Sequence, residues 1–298
     1  AESPSMSKIL ITGKNGQVGH SLVNLLTDKV AVLALDSSEL DITNRNAVFQ
    51  TALSFKPDVI INAAAYTAVD KAESERDRAF AVNELGPKYL AEAAQEVGAA
   101  FLHLSTDYVF DGQGSRPYKE TDATAPQSVY GESKLAGEQA ALAACPRSVI
   151  VRTAWVFGEH GNNFVKTMLR LGAQRDSLSI VADQYGAPTY AGDIAAMLLK
   201  IADHIIGGQP TEYGIYHYSG SPYVSWFEFA QAIFTMAKQQ GLLNRIPALS
   251  AITTADYPTP AKRPANSRLD LTKIKQSFGV KPSDWQAALS DLKPYQTV

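Results

Sequence analysis

Two side chains in the stretch S-V-Y-G-E-S-K-L-A-G-E, residues 128–138, could carry acid–base chemistry. Tyr130 and Lys134 stand four residues apart, which on a helix stacks both side chains on one face. A phenol with an unperturbed pKa of about 10 is a poor proton-transfer group at neutral pH. An ammonium beside it favours the phenolate and lowers that pKa, making the tyrosine a usable proton donor and acceptor. Of the 13 tyrosines, only Tyr130 has a lysine four residues later. The pair also arises by chance on solvated helices, so its meaning depends on the elements that would position it.

The first of those elements is a strand. Lys8 to Thr12 (K-I-L-I-T) is an apolar run suited to a buried parallel strand. G-K-N-G-Q-V-G follows, with Gly13, Gly16 and Gly19, and then Leu22, Val23, Leu25 and Leu26 at helical spacing. Strand, glycine turn and helix in that order present backbone N–H groups and a positive helix end to a pyrophosphate. A tight turn that binds nothing would read the same way. The second strand, Val30 to Leu35, ends in Asp36, seventeen residues past Gly19. An acid there can accept hydrogen bonds from an adenosine ribose. It favours NADH over NADPH, because a 2′-phosphate would be repelled and no arginine stands beside it. Ordinary turn chemistry also places Asp after strands. Asp41 and Ile42 either flank an adenine or open the next helix.

Asp58 to Ala65 (D-V-I-I-N-A-A-A) reads as a third strand running into small residues, which admit either a cofactor or a closely packed helix. Asp70 to Arg78 is charge-rich and predicts a solvated helix start, and Ala79 to Val97 has helical spacing. Phe101 to Ser105 is a fourth strand delivering Ser105, Thr106 and Asp107 to the edge where open α/β sheets bind ligands. Ser148 to Arg152 is a fifth. The alternation predicts an α/β fold: a Rossmann-like, doubly wound parallel sheet with a smaller, discontinuous substrate-binding lobe. The dinucleotide-binding domain is expected over 6–152, with parts of 191–215 and 252–270; the lobe takes 153–190, 216–251 and 271–298. In the lobe, Ser225 to Gln240 predicts a helix with a capping box made by Ser225 and Glu228, and Phe227, Ala230, Phe234 and Ala237 as core. Asp183 to Thr189 reads as a loop. Lys262 to Leu269 puts three cations, Arg263 among them, around a proline turn, suiting an anionic substrate or a solvated loop equally.

Composition narrows the classes. A net charge of -3 and a pI near 6.0 give no basic excess, so nucleic acid is not expected as a partner. The apolar runs are strand-sized, so no membrane span is expected. Cys145 is the single cysteine, which rules out an internal disulfide and fits a small buried hydrophobe. Five histidines show no metal-ligand spacing. Ala1 to Ser5 lack the features of a signal peptide and read as a loose tail, so a cytoplasmic protein is expected.

With these pieces placed, the chain resembles the extended short-chain dehydrogenase/reductase superfamily. The glycine turn, Ser105-Thr106 at a strand end and Tyr130-x-x-x-Lys134 carry that likeness. Within it the chain is similar to the dTDP-4-dehydrorhamnose reductase family. That likeness rests on I-T-G-K-N-G-Q-V-G from Ile11, N-A-A-A-Y-T-A-V-D-K-A-E from Asn62, L-S-T-D-Y-V-F-D-G from Leu104 and P-T-P-A-K-R-P-A-N-S-R-L-D from Pro258. The resemblance implies reduction of the C4 ketone of dTDP-6-deoxy-L-lyxo-4-hexulose by NADPH or NADH, giving dTDP-L-rhamnose. Tyr130 would protonate the developing alkoxide. Lys134 would lower the tyrosine pKa and bind the nicotinamide ribose, and Thr106 would polarise the carbonyl. The candidate cofactor contacts are Gly13, Gly16, Gln17, Val18, Gly19, Asp36, Asp41, Ile42, Ala63, Ala65, Tyr66, Thr67, Leu104, Tyr130 and Lys134. The candidate substrate contacts are Thr106, Asp107, Tyr130, Trp155, Asn163 and Arg263. Some relatives hold magnesium with glutamates between the subunits of a dimer. Here 284–298 contains no Glu and the loop after Thr189 reads Tyr190-Ala191-Gly192-Asp193, so no metal ligand is assigned; magnesium and a homodimer stay open.

Two other readings compete. A dehydratase or epimerase of the same superfamily would use the same fold. Dehydratases carry an acidic pair after the threonine, whereas here Asp107 is followed by Tyr108; an epimerase would recycle its cofactor. A regulatory subunit could bind NADP(H) without turnover, against which stand the intact Thr106, Tyr130 and Lys134.

Overall fold

The computed structural model describes residues 6–296; the tail expected over 1–5 lies outside the described residues. In the first half, strands and helices alternate as β1 (Ser7–Thr12), α1 (Gln17–Leu25), β2 (Val30–Leu35), α2 (Arg45–Phe55) and β3 (Val59–Asn62). Short helices α3 (Val69–Ala72) and α4 (Arg76–Phe80) lead through a π turn over 81–85 into α5 (Gly86–Val97). β4 (Ala100–Thr106), α6 (Val129–Ala144) and β5 (Ser148–Thr153) complete that half. The second half holds β6 (Val156–Phe157), α7 (Phe164–Gln174), β7 (Ser177–Val181), β8 (Tyr185–Gly186), β9 (Thr189–Tyr190), α8 (Ala191–Ile206) and β10 (Gly214–His217). It ends with β11 (Val224–Ser225), α9 (Trp226–Gln239), β12 (Ala248–Ile252), α10 (Thr272–Phe278) and α11 (Trp285–Ala288).

Six strands form one parallel sheet in the order β10-β5-β4-β3-β1-β2. From β1 the chain adds β2 on one side and β3, β4 and β5 on the other. The order therefore reverses at β1, which opens a crevice at the carboxyl ends of the strands. Register brings Thr12, Asn62, Thr106 and Thr153 to that shared edge. The strands are apolar runs because both faces are covered. Ile9, Ile11, Ile61 and Val151 pack against α1 and α8 on one face, while Leu10, Ile60, Phe101 and Ile150 pack against α2, α5 and α6 on the other.

A second core lies under α7 and α9, where Val165, Met168, Phe229, Phe234 and Trp285 cluster beside the β7–β12 pair. The capping box of α9 forms as the sequence predicts, with Ser225 and Glu228 each satisfying the other's backbone N–H. Of its predicted core residues Ala230, Phe234 and Ala237 are buried and Phe227 only partly so, while Phe229 is fully buried. Three local expectations differ from the fold. The helix expected over 79–97 is interrupted by the π turn, β3 ends at Asn62 rather than Ala65, and the loop over 183–189 carries β8 and most of its pairing with β11. β10 also runs across the boundary expected between 215 and 216, and Ile274 and Phe278 of α10 belong to the sheet-side core.

Candidate active site

The turn before α1 is built from backbone. Gly13 has φ +78°, a conformation that side chains resist, and a Cβ there would sit 2.5 Å from Ala64 N. A Cβ on Gly19 would sit 1.9 Å from the Gly13 carbonyl oxygen, so the helix packs directly on the turn. Gly16 is the N-cap and supplies no side-chain cap, and the first turn carries no acid. The first helical bond runs from His20 N to the Gly16 carbonyl. The N–H groups of Gln17, Val18 and Gly19 precede it and have no intrahelical acceptor. This uncapped positive end is the donor set that a pyrophosphate requires, so the residues fit a dinucleotide. The Val18 side chain is buried in the core, which leaves only its backbone for a ligand.

Around this turn the side chains are held from outside. Asp36 accepts from Asn15 Nδ2 at 2.9 Å, and its bonds from Ser38 and the Glu39 backbone, with Lys14 nearby, hold its carboxyl below the usual range. Asp41 accepts from the Thr43 backbone at 2.9 Å and its hydroxyl at 2.6 Å, closing the turn before α2, while Ile42 is buried against Gly86. Ala63 N donates to the Thr12 carbonyl at 3.0 Å, and Ala65 is half-buried. Thr67 is exposed. The Tyr66 hydroxyl donates to Glu75 at 2.7 Å, and its backbone is clamped by Asn83, which accepts from Tyr66 N at 2.9 Å and donates to its carbonyl at 3.0 Å. Asn83 was not anticipated: within a helical run it reads as a surface residue, and the π turn that points it inward has no sequence signal.

At the other end of the crevice the groups are buried. The Ser128 hydroxyl caps α6 by accepting from Gly131 N at 3.1 Å, which fixes the first turn and with it Tyr130. The helix sits close to the preceding loop, since a Cβ on Gly131 would lie 2.3 Å from the Tyr108 carbonyl. Tyr130 faces Thr106, whose hydroxyl interacts with its phenol, and packs edge-on against Tyr108. Lys134 is 3% exposed and donates to the Leu104 carbonyl at 2.7 Å. The two stand one turn apart on α6, and their titration behaviour differs from the expectation. Burial pushes Tyr130 up to about 12, opposed by the Thr106 hydroxyl and reinforced by Asp107, and Lys134 does not contribute. Burial pushes Lys134 down to about 8, with Glu138 opposing. In the unliganded chain the tyrosine is thus a held proton rather than an activated phenolate.

Asp107 is buried beside Thr106, and burial raises its carboxyl to about 7 against hydrogen bonds from Ser267 and Thr106. Its Oδ2 has no protein partner. Arg263 donates to Asp70 at 2.9 Å while its Nη1 is also buried without one, so the cation expected to meet an anion is half engaged by an acid of the chain. Trp155, at φ +53°, stacks on Trp226 with centroids 3.6 Å apart. Asn163 lies apart from Tyr130. It caps α7 by accepting from Lys166 N and donates to Gln17 Oε1 at 3.1 Å and the Gly158 carbonyl at 2.7 Å, next to the glycine turn. Cys145 is buried, and no cluster of three or more metal-ligating side chains occurs among the described residues. Among those residues, no helix is long and apolar enough to cross a membrane.

Comparison with known proteins covers nearly the whole chain. The RmlD substrate binding domain family matches residues 6–295. A dTDP-4-dehydrorhamnose reductase from Aggregatibacter actinomycetemcomitans is 60% identical over 292 residues, covering 97% of this chain and 99% of that protein. The dTDP-4-dehydrorhamnose reductase of Escherichia coli K12 is 44% identical over 288 residues, covering 94% and 95%. The crystal structure of the Bacillus anthracis dTDP-4-dehydrorhamnose reductase in complex with NADP superposes with a TM-score of 0.88 at 40% identity, covering 96% of this chain and 98% of that one. Matched by the family over residues 6–295 and by these relatives over nearly its whole length, this chain belongs to the RmlD substrate binding domain family.

Proposed function

We propose that this protein is an NAD(P)H-dependent reductase that converts the C4 ketone of dTDP-6-deoxy-L-lyxo-4-hexulose to the alcohol of dTDP-L-rhamnose. The observation that carries the reading is the convergence of Thr106, Tyr130 and Lys134 at the sheet edge that also presents the uncapped α1 terminus. The naming of its 60% identical relative as a dTDP-4-dehydrorhamnose reductase supports the substrate, and the NADP complex of the Bacillus anthracis protein supports the cofactor.

When bound, the reduced nicotinamide supplies the hydride. Gln17, Val18 and Gly19 would offer backbone N–H groups to the pyrophosphate, Gly13 and Gly16 give the turn its shape, and Asp36 would receive the adenosine ribose. Asp41, Ile42, Ala63, Ala65, Tyr66 and Thr67 would line the path from adenine to nicotinamide, and Lys134, held by the Leu104 carbonyl, would meet the nicotinamide ribose. The Thr106 hydroxyl donates to the C4 oxygen and polarises it. Tyr130, with a pKa near 12, keeps its proton across the neutral range and gives it to that oxygen as negative charge develops. Lys134 would then stabilise the phenolate until solvent returns a proton to it. Asp107 and Arg263, each with a buried unsatisfied atom, would hold polar groups of the sugar nucleotide. Trp155 shapes the far wall, and Asn163 acts by fixing Gln17. Residues 6–152 carry the dinucleotide, and the core under α7 and α9 carries the walls of the sugar site. Reliance on NAD(P)H and a nucleotide sugar supports a cytoplasmic location.

Purified protein incubated with NADPH and the keto-sugar should consume cofactor in proportion to sugar, read as loss of absorbance, and yield dTDP-L-rhamnose. An epimerase would change the sugar without net oxidation, and a binding subunit would change neither; either result would overturn the reading.

A further inference from the structure

Lys134 is a cation with little in direct contact to keep it one. It is almost fully buried, its ammonium hydrogen-bonds to a neutral carbonyl, and burial alone favours the uncharged amine. One helical turn further, on the same face of α6, Glu138 is 1% exposed. Glu138 does not touch the ammonium. Its Oε1 accepts from Arg152 Nη2 at 2.7 Å, and its Oε2 accepts from Arg152 Nε at 2.9 Å and from the Ser105 hydroxyl.

Those bonds offset the cost of burying the carboxylate. Arg152, on the adjacent strand β5, presents a bidentate fork to it. The remaining guanidinium nitrogen lies 3.4 Å from His217 Nε2 on β10. His217 Nδ1 lies 2.9 Å from the Tyr118 carbonyl and must donate to it, which makes Nε2 the acceptor facing Arg152. Burial and Arg152 push His217 down to about 3, so it stays neutral and takes no charge from the pair. Phe110 covers the guanidinium at 5.1 Å. Four elements thus hold one carboxylate in a fixed place behind the active-site lysine.

We propose that Glu138, held by Arg152 and Ser105, is a positioning residue that keeps Lys134 protonated at neutral pH through its field rather than through contact. The proposal rests on the reductase reading for its link to turnover. The charged and titratable groups around Lys134 come from three sides. α6 supplies Tyr130 and Glu138. β4 supplies His103, which burial and Lys134 hold neutral, and Asp107 follows it. β5 and β10 supply Arg152 and His217 behind Glu138. Of these, only Glu138 supports the ammonium. In the reductive direction Tyr130 stays protonated to about 12 and Asp107 titrates at about 7, so a fall in kcat/KM near pH 8 that persists in Asp107→Asn reads Lys134.

The test is Glu138→Gln, followed in two ways. In protein labelled with 13C-lysine, the Lys134 resonance is assigned by its loss in Lys134→Met and titrated by NMR without ligand. The pH profile of kcat/KM is measured alongside. Removing the carboxylate should lower the Lys134 pKa and move the alkaline limb the same way, by about one pH unit, the low end of the effect of a nearby charge. A folded variant whose Lys134 titration stays within about 0.2 units of the parent, well below that range, would overturn the proposal even if activity fell. If the resonance moves and the limb does not, the field is real but Lys134 does not govern turnover, which counts against the reductase role rather than the field. Glu138→Gln strands a buried guanidinium and risks unfolding. The double variant Glu138→Gln/Arg152→Gln removes both charges while keeping hydrogen-bonding partners, and a smaller downward shift is expected of it, because the lost guanidinium had opposed the carboxylate.

Discussion

The two ends of the crevice are built by opposite means. Around the α1 turn the working groups are backbone N–H donors, and the side chains beside them face solvent: Lys14 and Glu39 pair across the turn at 2.8 Å with 31% and 43% of their side chains exposed. At α6 and the end of β4, side chains do the work. Lys134, Asp107 and Glu138 are each under 5% exposed, and the ionisation of Lys134 and Asp107 is governed by what surrounds them. A backbone site tolerates changes of charge and fails on changes of shape. A buried side-chain site does the reverse, because an isosteric swap keeps the packing and alters the proton.

Gly19→Ala should give the largest effect at the shape-sensitive end. One methyl group would have to occupy space 1.9 Å from the Gly13 carbonyl oxygen, and backbone cannot swing aside. We expect NADPH affinity, read by fluorescence titration, to fall roughly a hundredfold, equivalent to about 2.8 kcal/mol. An unchanged affinity would show that the turn is not a rigid binding surface. At the buried end, Asp107→Asn tests charge at constant shape. The folded pKa of Asp107, about 7, lies above its ordinary 3.8, so the stability it contributes is complete below about pH 4 and is lost as pH rises to about 7. The linkage is at most about 4 kcal/mol, taking about 1.4 kcal/mol per pKa unit. The melting temperature of Asp107→Asn relative to the parent should therefore rise between pH 4 and pH 7 by several degrees; a constant difference would mean the carboxyl is solvated. Asp36→Ala should give the smallest effect. Loss of this charge moves the ratio of NADPH to NADH specificity constants toward NADPH by at most about tenfold, with salt weakening the shift. A ratio that does not move would take Asp36 away from the ribose.

The same contrast governs what could be read in the sequence. The glycine turn was legible because its function lies in backbone shape, and backbone shape is written in residue type. Five strands of the parallel sheet followed from apolar runs alternating with helical spacing, while β10, the sixth, did not; the α9 cap followed from Ser225 and Glu228 three residues apart. The buried end was legible only in part. Tyr130 and Lys134 could be paired from their spacing, but the direction of the tyrosine shift depends on burial, which spacing does not report. Glu138 and Arg152 are fourteen residues apart on different elements and carry no local pattern. Asn83 works through a π turn, and Asn163 spends its amide on Gln17 and its carbonyl on a helix cap. In each case the partner is brought by the fold, not by sequence neighbours.

The central claim is that Tyr130 delivers the proton. Tyr130→Phe deletes one hydroxyl and keeps the ring against Tyr108, so α6 and its packing should survive. Removing a general acid typically costs ~10² to 10⁴-fold in rate, about 3 to 5 kcal/mol of barrier. Losing only a structural hydrogen bond would cost about 0.5 to 1.5 kcal/mol of stability and leave turnover nearly intact. The deciding measurement is ketone reduction at saturating NADPH and keto-sugar, with melting temperature and cofactor titration recorded on the same preparation. We predict a folded variant that binds cofactor normally and turns over at least about a hundredfold more slowly. A folded variant retaining turnover within about threefold of the parent, far less than a general acid supplies, would contradict the assignment.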